Sequence, residues 1–235
     1  MNAFIRKLEC YTPLTPEQKR LLEDVSGRTR IVARHTDLIL EGDKPDDVLL
    51  ILEGFAYRYK ILPDGDRQIL AFLVPGDFCD LHVALLKEMD HSIATLSDCA
   101  VVDIPKETVI DLTENQPGLA RALWWTSLVD EAILREWLAN MGQRESDKRI
   151  AHLLCEIHLR LKTVGLADDH SFEFPVSQQE LGDTMGITVV HANRSLKVLR
   201  DKGLAIMKGT SVEIPDLQKL RAFGDFNPNY LHLGG

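Results

Sequence analysis

The sequence predicts an α+β chain: an N-terminal antiparallel β-roll of jelly-roll type, one long dimerisation helix, and a C-terminal winged helix-turn-helix. Three observations carry this. Glycines at 42, 54, 65 and 76 punctuate short apolar runs at steps of 12, 11 and 11 residues. An apolar stripe at helical spacing follows Pro117. From Ser177 to Ile214 the residues match the stereochemical template of two helices meeting at a tight turn, followed by a hairpin.

The β-roll rests on the runs Leu38-Ile39-Leu40, Val48 to Leu52, Ala56 to Leu62 and Gln68 to Val74. Turns at so regular an interval indicate a sandwich or barrel. Pro63-Asp64-Gly65-Asp66 is a hairpin turn signal, because Pro presets φ and Gly accepts positive φ. An 11-residue solenoid would need a repeated side-chain motif, and none recurs.

The pattern turns helical at Pro105. A short helix is expected to Leu112, then a capping box Thr113-x-x-Gln116 with Pro117 in the first turn of a long helix to Met141. Leu119, Leu123, Leu128, Ala132, Ile133, Trp137 and Met141 recur there at helical spacing, beside Trp124 and Trp125. Such a stripe packs on its own domain or forms a dimer seam. Its length of about six turns favours the seam. Gly142 marks a helix stop, and a further helix spans Glu145 to Thr163 with Ile150, Leu153, Leu154, Ile157 and Leu161 on one face. A polar loop, Val164 to Ser171, follows. The division expected is 1–115 for the β-roll, 116–142 for the dimer helix and 143–235 for the winged helix.

In the helix-turn-helix, Leu181, Met185, Ile187, Ala192 and Leu196 fall on buried positions of the template. Gly182 falls where the helices touch, and Gly186 at the turn. Ser177-x-x-Glu180 caps the first helix and Thr188 the second. Leu204 to Met207, Lys208-Gly209-Thr210 and Ser211 to Ile214 read as the wing. The N-terminal turns of the second helix are then the DNA-reading surface. Arg194 suits two hydrogen bonds to guanine, Val190 a thymine methyl, and Asn193 a base edge or phosphate. Gln178, Gln179 and Thr188 are placed for phosphates, and Val189, His191 and Lys197 complete the face.

Net charge is −9, yet residues 143–235 hold 12 of the 27 basic and 12 of the 36 acidic residues, so the excess lies in 1–142. Arg194, Lys197, Arg200, Lys202 and Lys208 surround a single acid, Asp201. Phosphates respond to local potential over about a Debye length, so an acidic total is compatible with DNA. Four scattered cysteines, with no zinc spacing, read as reduced core residues of a cytoplasmic chain, and no apolar run has spanning length. There is no Gly-rich phosphate loop, nucleophile elbow or metal-spaced His/Glu set, which argues against an enzyme.

A β-roll, long helix and winged helix in this order resemble the Crp/Fnr superfamily of bacterial regulators. The markers are Gly42 and Gly54 around the Val48 to Leu52 strand, Pro75-Gly76-Asp77-Phe78, and Gln179-Glu180-Leu181-Gly182 with Met185-Gly186. The resemblance implies a homodimer on a pseudo-palindromic operator, with RNA polymerase as partner if the chain activates. It places an effector pocket around Gly76, Phe78, Asp80, Leu81, His91 and Ser92. The family's cyclic-nucleotide cassette carries Gly-Glu-Leu and an Arg-Ser or Arg-Thr pair. Here these read Phe78-Cys79-Asp80-Leu81 and His91-Ser92, so the phosphate-clamping arginine is missing and cyclic AMP is not expected. Only Cys10 stands where the oxygen-sensing branch clusters its iron–sulfur cysteines. His82, His91, Cys79 and Cys99 leave haem and a redox thiol among the admissible signals, beside an unknown small effector or control by protein level alone. The family commonly has Arg-Glu-Thr where Val189, Val190 and His191 stand, which implies a distinct target sequence with Arg194 retained. The alternative function is a regulatory module acting through protein contacts.

Overall fold

A computed structural model describes residues 2–85 and 88–233. The chain divides into two compact units, one of residues 1–60, 71–131 and 232–235, the other of residues 61–70 and 132–231.

The first unit opens with two helices that the sequence reading did not identify, α1 (Ala3–Glu9) and α2 (Pro16–Val25). The signal for α2 was present: Thr15 and Gln18 form a capping box around Pro16 at the first helical position. Seven strands follow: β1 (Arg30–Val32), β2 (Asp37–Ile39), β3 (Asp47–Glu53), β4 (Ala56–Ile61), β5 (Arg67–Leu73), β6 (Ser92–Thr95) and β7 (Cys99–Pro105). They form two sheets, ordered β1-β7-β3 and β2-β6-β4-β5. The four predicted corner glycines all take positive φ. Gly54 also meets a close approach, because a Cβ there would stand 2.2 Å from the carbonyl oxygen of Asp98.

Phe4, Ile5 and Leu8 of α1 and Leu22 of α2 join Val48, Leu50, Ile51, Val101 and Ile104 in one buried core. Next come α3 (Lys106–Asn115) and α4 (Pro117–Gln143). The predicted capping box at Thr113 is absent. Helix α3 runs past it, and the Thr113 hydroxyl donates instead to the Ile110 carbonyl, 2.8 Å away. Helix α4 likewise runs through Gly142, the expected stop.

The seam expectation needs correction. Leu119 and Leu123 are buried in the core of the first unit. Ala132 and Ile133 are also buried. Trp137 donates its indole N–H to Glu156, and Met141 packs beside Gly186. Of the seven expected seam residues only Leu128 is exposed. The outward apolar side chains of α4 are Trp124, Leu128, Leu134 and Leu138, on a different face.

The second unit contains α5 (Ser146–Thr163), β8 (Ser171–Glu173), α6 (Gln178–Met185), α7 (Val189–Asp201), β9 (Ile206–Lys208), β10 (Ser211–Glu213) and α8 (Leu217–Phe223). The wing has three strands rather than two, ordered β8-β10-β9, since part of the expected loop before Ser171 leads into β8. Ile150, Leu153, Leu154, Ile157 and Leu161 of α5 are buried as the spacing required.

Cys79, Cys99 and Cys155 are buried free thiols, and Cys10 is half-buried. Burial pushes the Cys99 thiol up to about 11 and that of Cys155 up to about 12, and raises Cys79 further. A raised thiol stays protonated, and protonated sulfur is a poor nucleophile.

Two outcomes follow from this packing. Gly54→Ala combines positive φ with a backbone collision and should cost about 2–4 kcal/mol in denaturant unfolding; an unchanged midpoint would refute the close approach. Iodoacetamide at pH 8 should label Cys10 before the three buried thiols, with peptide mapping as readout. Labelling of Cys99 should accelerate as pH rises toward 11, beyond the point where an ordinary thiol has levelled off. Rapid modification of Cys99 at neutral pH would reopen the redox reading.

Candidate nucleic-acid interface

The interface is built on α6 and α7. The Ser177 hydroxyl accepts the Glu180 N–H at 3.2 Å, and the Glu180 carboxylate accepts the Ser177 N–H at 2.7 Å. Leu181 and Met185 turn inward. Gly186 closes α6 in the left-handed conformation at φ 62°. Thr188 caps α7 by accepting the His191 N–H. A Cβ on Gly182 would lie 2.7 Å from the Ile187 carbonyl oxygen, so only glycine allows this crossing.

The crossing sorts α7 into two faces. Ala192, Ser195 and Leu199 are buried. Val190, His191, Asn193, Arg194, Lys197 and Arg200 are exposed, and Val189 is half-buried. Val190 is 69% exposed, so its apolar side chain is open to contact from outside. Arg194 and Asn193 have no side-chain hydrogen bond or ion pair among the described residues. Lys197 pairs with Asp201 on the next turn.

Two expected readers are engaged elsewhere. The His191 imidazole hydrogen-bonds the Ser146 hydroxyl at 3.0 Å, and Ser146 meets Ser195 at 2.8 Å. The Gln179 amide donates to Asp183 at 2.6 Å. Thr188 and Gln178 are exposed at the helix starts, as expected. A groove of about 330 Å³ lies between α7 and the wing, lined by Gln178, Asn193, Lys197, Arg200, Met207 and Gly209 among others. Arg200 was noted only for its charge, and its place in the groove depends on where the wing folds.

A buried polar network fixes α5, which supports α7. Glu156 is fully buried, and burial raises its carboxyl above the usual range. It accepts hydrogen bonds from Trp137 at 3.1 Å, Tyr230 at 2.9 Å and Arg160 at 3.1 Å. His152 lies between the Gly224 carbonyl and the Tyr230 hydroxyl, each at 3.2 Å.

The expected effector residues, in the first unit, have mostly structural roles. A Cβ on Gly76 would sit 2.8 Å from the Ala3 carbonyl oxygen. Phe78 packs edge-on against Phe4 at 5.1 Å. Leu81 packs on the core, and the Ser92 hydroxyl accepts the Glu41 N–H at 2.9 Å. Asp80 and His91 do come together, 3.9 Å apart, and His91 also bonds Asp90 at 2.6 Å. Burial pushes the Asp80 carboxyl up, but His82 and Arg58 outweigh it and hold the carboxyl below its usual range. Arg58 is committed to Asp130 and to the carbonyls of Phe78 and Cys79. His91, at the position of the family's phosphate-clamping arginine, thus has the carboxylates of Asp80 and Asp90 beside it and offers no fixed guanidinium. No group of three His, Cys, Asp or Glu suited to a metal ion occurs among the described residues.

The family model for a Crp-like helix-turn-helix domain matches residues 148–223, and that for a cyclic nucleotide-binding domain matches residues 29–116. The nitrogen fixation regulation protein FixK of Azorhizobium caulinodans is 24% identical over 83% of this chain and 78% of its own. The transcriptional activatory protein AadR of Rhodopseudomonas palustris is 26% identical over 93% and 90%. The transcriptional activator protein FnrL of Cereibacter sphaeroides is 24% identical over 82% and 78%. The structure of FixK2 from Bradyrhizobium japonicum shares the fold at a TM-score of 0.73, with 22% identity over 83% of this chain and 96% of that one. With both domains matched in order, the chain belongs to the Crp/Fnr superfamily of DNA-binding transcriptional regulators.

Proposed function

We propose that two copies of this chain read a pseudo-palindromic duplex, each inserting the N-terminal half of α7 into the major groove. The observation that carries this is the outward face of α7, where Arg194 and Asn193 are uncommitted and Val190 is uncovered. Arg194 donates two hydrogen bonds to guanine O6 and N7, and Val190 meets a thymine methyl. Lys197, Arg200 and Gln178 receive the backbone in the groove beside the wing. Val190 offers a thymine an apolar contact and a cytosine amino group no acceptor, which sets the target apart from those read by the family's usual acidic residue.

Pairing uses the outer face of α4. Arg121, Trp124, Leu128, Glu131, Arg135 and Leu138 are exposed at alternating three- and four-residue steps, the rhythm of a two-stranded coil. Trp124 and Leu138 are 73% and 76% exposed, which favours a covering partner. Symmetry of the target then follows from symmetry of the protein. The first unit responds to a signal other than a cyclic phosphate, since carboxylates flank His91. The protein acts in the cytoplasm; no described helix is long and apolar enough to cross a membrane. Relatives named as transcriptional activators make RNA polymerase the expected second partner.

Arg194→Ala should weaken binding to a selected duplex by 1–3 kcal/mol, about 5- to 150-fold, in fluorescence anisotropy. Binding should fall steeply with salt, and Lys197→Ala should reduce the salt slope by about one. Salt-independent binding that ignores Arg194 would instead favour action through protein contacts. For the seam, Leu138→Asp should convert dimer to monomer in sedimentation while leaving the chain folded; a variant that stays dimeric would displace the interface from this face.

A further inference from the structure

The second unit includes a segment distant from it in sequence. Residues 61–70, the tip of the β4–β5 hairpin, pack with residues 132–231. Arg67 donates from Nε to Asp183 of α6 at 2.8 Å, and its Nη2 approaches the same carboxylate oxygen at 2.7 Å. Gln68 donates to the Thr184 carbonyl at 3.2 Å. The Asp183 side chain is 11% exposed, so the pair is partly shielded from solvent. Its other oxygen accepts the Gln179 amide. Between the hairpin tip and the start of α7 lies a cleft of about 940 Å³. It is lined by Gly65, Asp66 and Gln68 on one side and by Gln179, Thr188 and His191 on the other.

We propose that this hairpin tip is an autoinhibitory latch. When docked through Arg67–Asp183, it obstructs the phosphate strand beside the N-terminus of α7, and DNA binds only after it is released. The inference rests on the reading that α7 enters the major groove. A helix in that groove is flanked by phosphate strands, and the one at its N-terminus is received by backbone amides, Thr188 and Gln179. In the docked state the hairpin tip faces that place across the cleft, bringing Asp66 to its wall and Asp64 into the adjoining turn. Carboxylates there repel phosphates over about a Debye length, about 8 Å at physiological salt. Asp183 also accepts the Gln179 amide through its other oxygen, a bond internal to α6. Duplex affinity is then reduced by the fraction of molecules in the released state.

The sign of one substitution separates a latch from ordinary electrostatics. Arg67→Gln removes a positive charge, so a residue that merely attracts DNA would give weaker binding on removal. A latch gives the opposite. The experiment measures anisotropy of a labelled duplex, selected from a random pool by the full chain, against wild type, Arg67→Gln, Asp183→Asn and the double variant, each checked for an unchanged unfolding midpoint. The expected result is about three- to fivefold tighter binding for Arg67→Gln, the same for Asp183→Asn, and no further gain in the double variant. Hydrogen exchange on wild type provides a readout without substitution: the amides of 62–68 should exchange faster when duplex is bound. Equal or weaker binding by Arg67→Gln, or protection of 62–68 by duplex, overturns the latch. Arg194→Ala is the separate control. If it leaves affinity unchanged, the reading of α7 itself fails, whereas loss of affinity with no gain from Arg67→Gln rejects the latch alone.

Discussion

The approach of α6 to the Ile187 carbonyl at Gly182 is the constraint on which the proposed reading surface depends. A β-carbon at that point would come within 2.7 Å of a backbone oxygen, and neither helix could keep its place. The left-handed turn at Gly186 and the cap at Thr188 then set where α7 starts. With the start fixed, the helical repeat decides which side chains point outward. Ala192, Ser195 and Leu199 go into the core, and Arg194 and Val190 face away from it. The direction in which Arg194 and Asn193 point is a consequence of this packing, since neither side chain has a hydrogen-bond or ion-pair partner among the described residues.

Support for that crossing comes from a polar core. Glu156 gathers donors from Trp137 on α4, from Arg160 on its own helix and from Tyr230 near the C-terminus. A carboxylate buried this deeply is costly unless donors meet it, and here three do. Removing one donor leaves an unsatisfied buried group, so the elements are held in a single arrangement more strictly than apolar packing would hold them. Ser146, between His191 and Ser195, extends the same control to α7. In this unit directional bonds tie the later part of α4 to α5, and the start of α5 to α7.

Much of this was legible in the sequence, and the reasons differ by element. The helix-turn-helix was readable in detail because its rules are local: Ser177 with Glu180, Gly182, Gly186 and Thr188 each answer to neighbours within ten residues. The β-roll corners were readable for the same reason. The outward face of α4 was not, because this helix carries apolar residues on two faces and periodicity does not say which face the chain's own core takes. Leu119, Leu123, Ala132 and Ile133 are claimed by that core, leaving Trp124, Leu128, Leu134 and Leu138 outside. The false cap at Thr113 and the real one at Thr15 have the same spacing of Thr and Gln but differ in the proline, which directly follows Thr15 at the first helical position, whereas Pro117 lies four residues after Thr113 and begins α4. Arg67 and Asp183 lie 116 residues apart, beyond any sequence pattern. The acidic surroundings of His91 were half legible: the missing arginine could be read, but the approach of Asp80 required the fold.

The central claim is that Arg194 reads a guanine edge from a helix in the major groove. Dimethyl sulfate interference on the selected duplex tests it at a single atom, because methylation of guanine N7 removes the acceptor that a guanidinium uses. One strongly interfering guanine is expected in each half-site for the wild-type chain, symmetric about the centre, with loss of that interference at the same guanines for Arg194→Ala. An interference pattern that Arg194→Ala leaves unchanged, or the absence of any interfering major-groove guanine, would contradict it.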